Sequence, residues 1–554
     1  MTEIKGNKRF NRTHRRRNGI YYTSSQNIRK LLIPLLENVT RKNAARCTFF
    51  DPACGNGNFF IETKKYLEEK GIPTEEGQYV GIEIEPAAVE EAKKRMPGAR
   101  IVCGNALTID WSDLVTPSKD LFIFGNPPFA GDYNKSKEQQ KELENVFAPY
   151  PAGELDYCAA WYYKAAKFLD HSGGTFAFLS TNSVTEGIQV LKLFKPIMNM
   201  GWRISFAYPS FSWSNEGATV TVCIIGMSQS PNTYPKLWDN KGFKEVKNIT
   251  PYELLEAPTM FVENKTTPIS ILPDVCTGSQ PIDGHDKNIN GVILEGLVLE
   301  DETKRNEALK NSVITEAKKQ GRDYVRLYLG GNELIHNKSR WCLWLVDSTR
   351  EDRQKSKFLK KRIEEVEEYR KTAKSPVKAS PWLFANDRQP DCNYLAIPRH
   401  FSENRDYFTT GYESPDVIAS DALFTVEDPD GFAFSVIESS MFMAWQDLVG
   451  GRLKTDNRFS NTLVWNTFPL PSITNDQKDR IIEAGAKVLE ARAGYPKSSL
   501  ADLYDPYNMP SDLRKAHEAL DRAMDSVFSN NPLRSEEERQ KALLKAYEEM
   551  TNEK

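Results

Sequence analysis

Residues 46–57 read RCTFFDPACGNG: an aromatic, apolar run ending on Asp51, a turn holding Pro52, Gly55 and Gly57, and then helical spacing over 58–70. A strand that closes on an acid and passes through a glycine turn into a helix predicts the first unit of a doubly wound α/β sheet. Gly55 and Gly57 let the backbone approach a ligand closely, and the helix that follows aims its free amides at a carboxylate or phosphate. The letters fit neither GxGxxG nor GxxxxGK, which sets aside the dinucleotide fingerprint and the phosphate loop.

Outward from this turn the alternation continues. Strands are predicted over 79–84 (YVGIEI), 120–125 (DLFIFG) and 175–180 (TFAFLS), with a helix over 86–95 that Pro86 opens. Two further apolar runs, 202–208 and 218–225, flank SFSWSNEG and predict that the sheet ends in an antiparallel pair. From 230 to 325 the pattern loosens into polar loops. Between 323 and 471 strands and helices recur in an order the pattern does not resolve, with a charged helix over 351–374 that reads as a solvated face laced by i,i+4 pairs. Helices are predicted over 474–492 and 511–528. There is no internal repeat.

Two further segments carry chemistry. The second strand ends in Gly81-Ile-Glu83-Ile-Glu85, and Glu83 is placed to accept hydrogen bonds from ribose hydroxyls. Directly after DLFIFG comes Asn126-Pro127-Pro128-Phe129. Consecutive prolines fix their φ angles and offer no amide donors, so they hold carbonyls rigidly beside the asparagine amide. A weakly nucleophilic ring amine suits such a turn. Its protons would be accepted by the Asn126 side-chain oxygen and the Pro127 carbonyl, and catalysis would come from positioning and aligned dipoles. Phe129 would stack on the base. In isolation, Asn-Pro-Pro is simply a turn; here it follows the glycine turn by two further βα units.

Composition bounds the rest. A chain of 554 residues, 40% hydrophobic and 11% aromatic, has material for two or three domains. Its net charge of -3 does not itself point to nucleic acid. The N-terminal arm is nevertheless basic (Lys5, Lys8, Arg9, Arg12, Arg15, Arg16, Arg17) and reads either as a phosphate-tracking arm or as a solvated tail. Eight scattered cysteines without a CxxC pair, and only six histidines, predict reduced thiols and no metal site. No stretch has the roughly 20 apolar residues of a membrane span, so a soluble, cytoplasmic protein is expected.

The three motifs in this order resemble the gamma-type amino methyltransferases of DNA, and residues 19–23 (GIYYT) match that family's N-terminal tyrosine-threonine motif. The resemblance implies a Rossmann-like class I domain and S-adenosylmethionine as cofactor. It implies Tyr22 and Thr23 at the methionine part, Asp51, Cys54 and Gly55 around it, and Ala53, Glu83, Ile84, Ala106 and Asn126 as further cofactor contacts. Asn105 stands where the family often has an aspartate for the cofactor adenine; an amide still presents an oxygen. An asparagine opening the motif favours adenine N6 over cytosine N4.

The likeness extends further. Segments 328–333 (YLGGNE), 340–344 (RWCLW), 396–400 (AIPRH), 419–422 (ASDA), 450–454 (GGRLK), 466–469 (NTFP) and 500–521 resemble the target-recognition and closing helical regions of single-chain type IIL restriction-modification enzymes. This implies a catalytic domain over 1–235, a connector over 236–325, a mixed α/β recognition domain over 326–472 and a helical segment over 473–554. Only about twenty residues precede GIYYT, so no nuclease is expected within the sequence, and one encoded separately or a defence-system subunit is a possible partner.

The expected reaction is therefore sequence-specific methylation of a flipped adenine in double-stranded DNA. Arg388, Arg399, His400, Arg452, Lys454 and Arg458 are the candidate DNA contacts, as phosphate ligands, base readers or internal ion pairs. Rival readings are an RNA or protein-glutamine amine methyltransferase, which needs a far smaller accessory region, and a non-catalytic DNA-binding subunit, against which Asp51, Gly55, Asn126 and Pro127 speak.

Overall fold

The computed structural model describes residues 23–131, 134–215, 218–230, 234–289, 291–373, 376–453 and 456–552. Tyr22, Lys454 and the basic N-terminal arm lie outside them. The chain divides into two compact units, Met1–Val262 and Glu263–Lys554.

Unit 1 is built on a nine-stranded sheet. In chain order its elements are α1 (Ser25–Leu35), β1 (Thr48–Asp51), α2 (Asn58–Glu69), β2 (Tyr79–Glu83), α3 (Pro86–Arg95), β3 (Arg100–Cys103), β4 (Leu121–Gly125), α4 (Lys137–Phe147), α5 (Ala159–Phe168), β5 (Thr175–Thr181), α6 (Gly187–Asn199), β6 (Arg203–Asn215), β7 (Ala218–Ser228), β8 (Lys236–Asp239) and β9 (Gly242–Glu245). The sheet order is β3-β2-β1-β4-β5-β7-β6-β8-β9, parallel from β3 to β5, with β7 antiparallel to both its neighbours. Phe49 pairs with Tyr79 on one side and Phe122 on the other. β1, β2 and β4 read as continuous apolar runs because a central parallel sheet is covered on both faces. β1 lies where the strand order reverses, so the crevice for a ligand opens at the carboxyl ends of β1 and β4.

Two expectations change here. SFSWSNEG is not a loop between strands: β6 runs through to Asn215, with register shifts between Ile204 and Phe206 and between Tyr208 and Phe211. Pro209 sits in the second shift, where an absent backbone donor is tolerated, and its turn-like appearance hides a continuing strand. β3 escapes the pattern because only Ile101 of its four residues is fully buried.

Unit 2 contains smaller sheets. One orders Cys276–Thr277, Leu423–Glu427, Tyr394–Pro398 and Gly411–Glu413; another orders Val298–Leu299, Trp341–Leu343, Val325–Leu329 and Ile418–Ala419. His400–Phe401, Asp456–Arg458 and Gly451–Leu453 form a three-stranded ribbon. The single charged helix expected over 351–374 is two helices, Arg350–Lys355 and Lys357–Lys371. Ser356 breaks it: buried, it caps the second helix by accepting from the Leu359 amide and donates to Asn311 Oδ1. The i,i+4 pairs Lys355–Glu351, Lys360–Glu364 and Lys361–Glu365 line its exposed face. Helices Asn475–Ala493, Ser511–Phe528 and Glu536–Asn552 close the chain. Among the described residues no helix is long and apolar enough to cross a membrane.

Candidate active site and basic cluster

The glycine turn is stitched to its neighbours at every residue. Asp51 Oδ1 accepts the Ala53 amide at 2.9 Å, the Cys54 amide donates to Ile82 O at 3.0 Å, and the Gly55 amide donates to Glu83 Oε2 at 2.8 Å. Gly55 (φ 54°) and Gly57 (φ 81°) take left-handed backbone that other residues adopt only with strain. A Cβ on Gly81 would stand 2.8 Å from Cys54 Sγ, so the turn presses into β2. Trp161 Nε1 holds it from outside by donating to Pro52 O at 3.1 Å. Glu83 is placed where the sequence puts it, but its other oxygen also receives a backbone donor, the Glu85 amide at 2.9 Å. It therefore shapes the turn, and its carboxylate keeps lone pairs that can accept further hydrogen bonds.

Asn126 leaves β4 beside this turn. A Cβ on Gly125 would fall 2.4 Å from Asp51 Oδ1, so the two strand ends are in direct contact. Asn126 Nδ2 donates to Thr23 Oγ1 at 3.0 Å, bringing the segment before α1 onto the Asn-Pro-Pro turn, and Asn126 Oδ1 is buried without a partner among the described residues. Pro127 is buried; Pro128 and Phe129 are partly exposed, with Phe129 packed against the aromatic core of the sheet. Asp156, missed by the motif search, fixes the loop. Its Oδ1 accepts the Ala130 amide at 3.1 Å, its Oδ2 accepts Thr181 Oγ1 at 3.1 Å, and the Tyr157 amide donates to Ala130 O at 3.0 Å.

Between the two turns lies a cavity of about 560 Å³, walled by Ala53, Gly55, Glu83, Ile84, Asn105, Ala106, Asn126 and Pro128 and, from the helical layer, by Glu142, Tyr157 and Trp161. That volume lies within the range of small-molecule sites. Ile84 stands 60% exposed on its wall. Asn105 Oδ1 accepts the Leu107 amide at 2.9 Å, and its Nδ2 donates to Glu142 Oε1 at 2.7 Å; Tyr157 donates its hydroxyl proton to Glu142 Oε2. Lys164 pins the same loop by donating to Ala106 O, Leu107 O and Ile109 O at 2.7, 3.0 and 2.7 Å.

Burial sets the electrostatics. It pushes the Asp51 carboxyl and the Cys54 thiol well up, with the Glu83 charge adding to both; it raises Glu83 and lowers Lys164 to about 8. Asp51 Oδ2 is buried and unpartnered. An unpaired buried oxygen is costly; Asp51 and Cys54 are buried beside the cavity and are not among the residues that wall it, so a cationic ligand there would feel the Asp51 charge without the wall between them being open. S-adenosylmethionine fits these residues: an ammonium and a sulfonium for the acidic end, ribose hydroxyls for Glu83, and a flat apolar ring to cover Ile84.

In unit 2 the basic residues separate into two groups. His400 and Arg458 face each other across an antiparallel pair. Arg399 lies over the Phe424 ring at 5.0 Å with its Nε buried and without a partner among the described residues; burial lowers its pKa, opposed by Asp421 and aided by Arg458 and Arg388. Burial, and after it the charges of Arg458 and Arg399, lower His400. Arg388 and Arg458 are exposed and form no ion pair among the described residues. Arg452 instead approaches Glu403 and Asp447, each at 3.8 Å. His285, Asp286 and Glu300, a set of metal-ligating types the sequence did not suggest, lie together at the surface, His285 pairing with Glu300 at 2.7 Å.

Comparison with known proteins places this geometry. Residues 87–239 match the MmeI DNA-methyltransferase domain, 256–472 the MmeI target recognition domain and 473–553 the MmeI C-terminal domain. DNA methyltransferase A of Bacillus subtilis (strain 168) is 31% identical over 605 aligned residues, 96% of this chain and 67% of that protein. Type II methyltransferase M.VspI of Vibrio sp. (strain 343) is 25% identical over 168 residues, 29% of this chain and 36% of its own length. The type IIL restriction-modification enzyme MmeI, solved in complex with DNA, superposes with a TM-score of 0.76 at 33% identity, covering 97% of this chain and 80% of that one. The chain thus belongs to the MmeI family, as a DNA methyltransferase of the type IIL restriction-modification kind that uses S-adenosylmethionine.

Proposed function

We propose that the chain methylates the N6 amine of one adenine within a defined sequence of duplex DNA, and that the base is rotated out of the stack to reach Asn126. The observation that carries this reading is the unpartnered Asn126 Oδ1, oriented because Nδ2 is held by Thr23. That oxygen and the Pro127 carbonyl accept hydrogen bonds from the two amine N–H groups, which draws the nitrogen lone pair out of the ring and aims it at the methyl group; as the N–CH3 bond forms the S–CH3 bond breaks, S-adenosylhomocysteine leaves, and one amine proton is lost to water past these oxygens. Phe129 stacks on the base, and Asp156 keeps the loop from moving. S-adenosylmethionine supplies the electrophilic methyl group; Tyr22, Thr23, Asp51, Ala53, Cys54, Gly55, Glu83, Ile84, Asn105 and Ala106 form its site. Most of the rate enhancement comes from orientation and fixed dipoles.

In this reading residues 1–235 are the catalytic domain, 236–325 a connector, 326–472 the recognition domain and 473–554 a helical segment. Arg388, Arg399, His400 and Arg458 meet the DNA as a cluster of like charge that an anion relieves, with Arg452 and Lys454 as further contacts. A separately encoded nuclease or a defence-system subunit is the further partner this reading allows.

Expression in a host without adenine methylation, followed by single-molecule sequencing of its genome, tests this. N6-methyladenine at one recurring sequence, absent with Asn126→Ala, is the expected result. N4-methylcytosine at the site would overturn the choice of base, and no modified DNA from folded, cofactor-binding protein would overturn the choice of substrate.

A further inference from the structure

The geometry points to Glu142 as a positioning residue that sets which cofactor base the cavity accepts, acting through Asn105. The inference rests on S-adenosylmethionine occupying this cavity. The reacting methyl must lie near Asn126, so the cofactor base takes the other end, where Ile84 offers an apolar face and Asn105 and Glu142 form the polar edge.

A side-chain amide is ambiguous: turned by 180°, it presents donors in place of an acceptor. An aspartate at position 105 would have no such ambiguity. Here the orientation is set from both sides, by the Leu107 amide on Oδ1 at 2.9 Å and by Glu142 on Nδ2 at 2.7 Å. Of the two, Glu142 discriminates more strongly, because a carboxylate only accepts and charge-assisted bonds are about twice as strong as neutral ones. Tyr157 holds the second carboxylate oxygen, so Glu142 cannot turn away. The edge left to a ligand is an acceptor, Asn105 Oδ1, which matches the exocyclic amine of adenine and opposes the 6-oxo group of hypoxanthine.

Isothermal titration of the full chain with S-adenosylhomocysteine and with S-inosylhomocysteine reads this polarity without DNA, so its failure leaves the choice of target base untouched. The wild-type chain is expected to favour the adenosyl ligand at least tenfold. Glu142→Ala should cut that ratio at least fivefold, because Asn105 then turns its amide toward the 6-oxo group. Asn105→Asp places two carboxylates in contact and should weaken adenosyl binding at least tenfold, increasingly as pH rises. The exchange Asn105→Asp with Glu142→Gln restores one donor and one acceptor, and should recover binding to within threefold. Equal weakening of both ligands in Glu142→Ala, or a double variant no better than Asn105→Asp, would overturn the inference; a wild-type chain that binds neither ligand would remove its premise as well.

Discussion

At the strand ends beside the cavity of unit 1, Asp51 Oδ2 and Asn126 Oδ1 are buried without a hydrogen-bond partner among the described residues, as are a few other side-chain oxygens of that unit; near the closing helices of unit 2 the buried charges Glu438 and Asp521 are surrounded. Glu438 accepts the Thr410 amide and hydroxyl at 2.9 and 2.6 Å, Tyr504 at 3.3 Å and Arg492 Nη2 at 2.6 Å, and Tyr504 in turn meets His517 Nε2 at 2.7 Å. Nearby, Asp521 takes the Ser440 amide at 2.7 Å and Tyr407 at 3.0 Å. A satisfied network fixes one packing, whereas an oxygen left without a donor stores binding capacity for a molecule still to come. Arg399 Nε, buried and unpaired in the basic cluster, belongs with the second kind.

If that distinction holds, substitutions in the two places will differ in kind. The largest effect is expected from Glu438→Ala, which strands Arg492 in the interior and should lower stability by about 3–5 kcal/mol in denaturant unfolding; a change below about 1 kcal/mol would break the contrast. Asn126→Ala should cost about 2.7–4 kcal/mol in the barrier, a 100- to 1000-fold fall in kcat, while its unfolding midpoint stays close to the wild-type value. Asp51→Asn should weaken S-adenosylmethionine by about 1.5–3 kcal/mol in titration calorimetry, the value of a hydrogen bond to a charged group, and leave the empty protein no less stable.

Acid should separate the units. Burial and the Arg492 charge lower His517 to about 3, so the stability it contributes is present above its usual pKa of 6.5 and is lost as pH falls toward 3. Asp51 is raised, so its contribution is present at low pH and is lost as pH rises through the raised value. Between pH 7 and 5, scanning calorimetry should show the unit 2 transition moving down and the unit 1 transition holding or rising, with His517→Gln blunting the first shift. The smallest effect is expected at the basic cluster: Arg388→Ala and Arg458→Ala should each reduce the salt slope of DNA binding by about 1, and Arg452→Ala, already engaged by Glu403 and Asp447, by less.

Much of unit 1 is legible because its signals are local. Apolar runs mark β1, β2, β4 and β5 within a residue or two, and the glycine and proline turns sit where strand ends place them. Asp156, Lys164, Glu142 and Tyr157 were illegible for the opposite reason. They brace the cavity and its loops from around α4 and α5, where a lone acid, lysine or tyrosine reads as helix surface or core, and their partners lie from 15 to 58 residues away. Ser356 shows the same limit: a helix pattern continues through it, and only a tertiary contact to Asn311 makes it a break. In unit 2 the strands are two to five residues long and pair out of order, so alternation never runs far enough to fix a register.

The bond between Thr23 and Asn126 spans 103 residues. Contacts of such separation form late, because the loop they close must be ordered first. During synthesis the threonine segment leaves the ribosome well before the asparagine exists, and it finds its partner only once β4 has paired with β1. A nascent or clipped chain ending ahead of Asn126 therefore carries the sequence of the glycine turn and β2 without the acceptor proposed to receive the target. On the proposed role of Asn126, modification would then require that the sheet has closed on its own first segment, so the reaction would report on that step of folding.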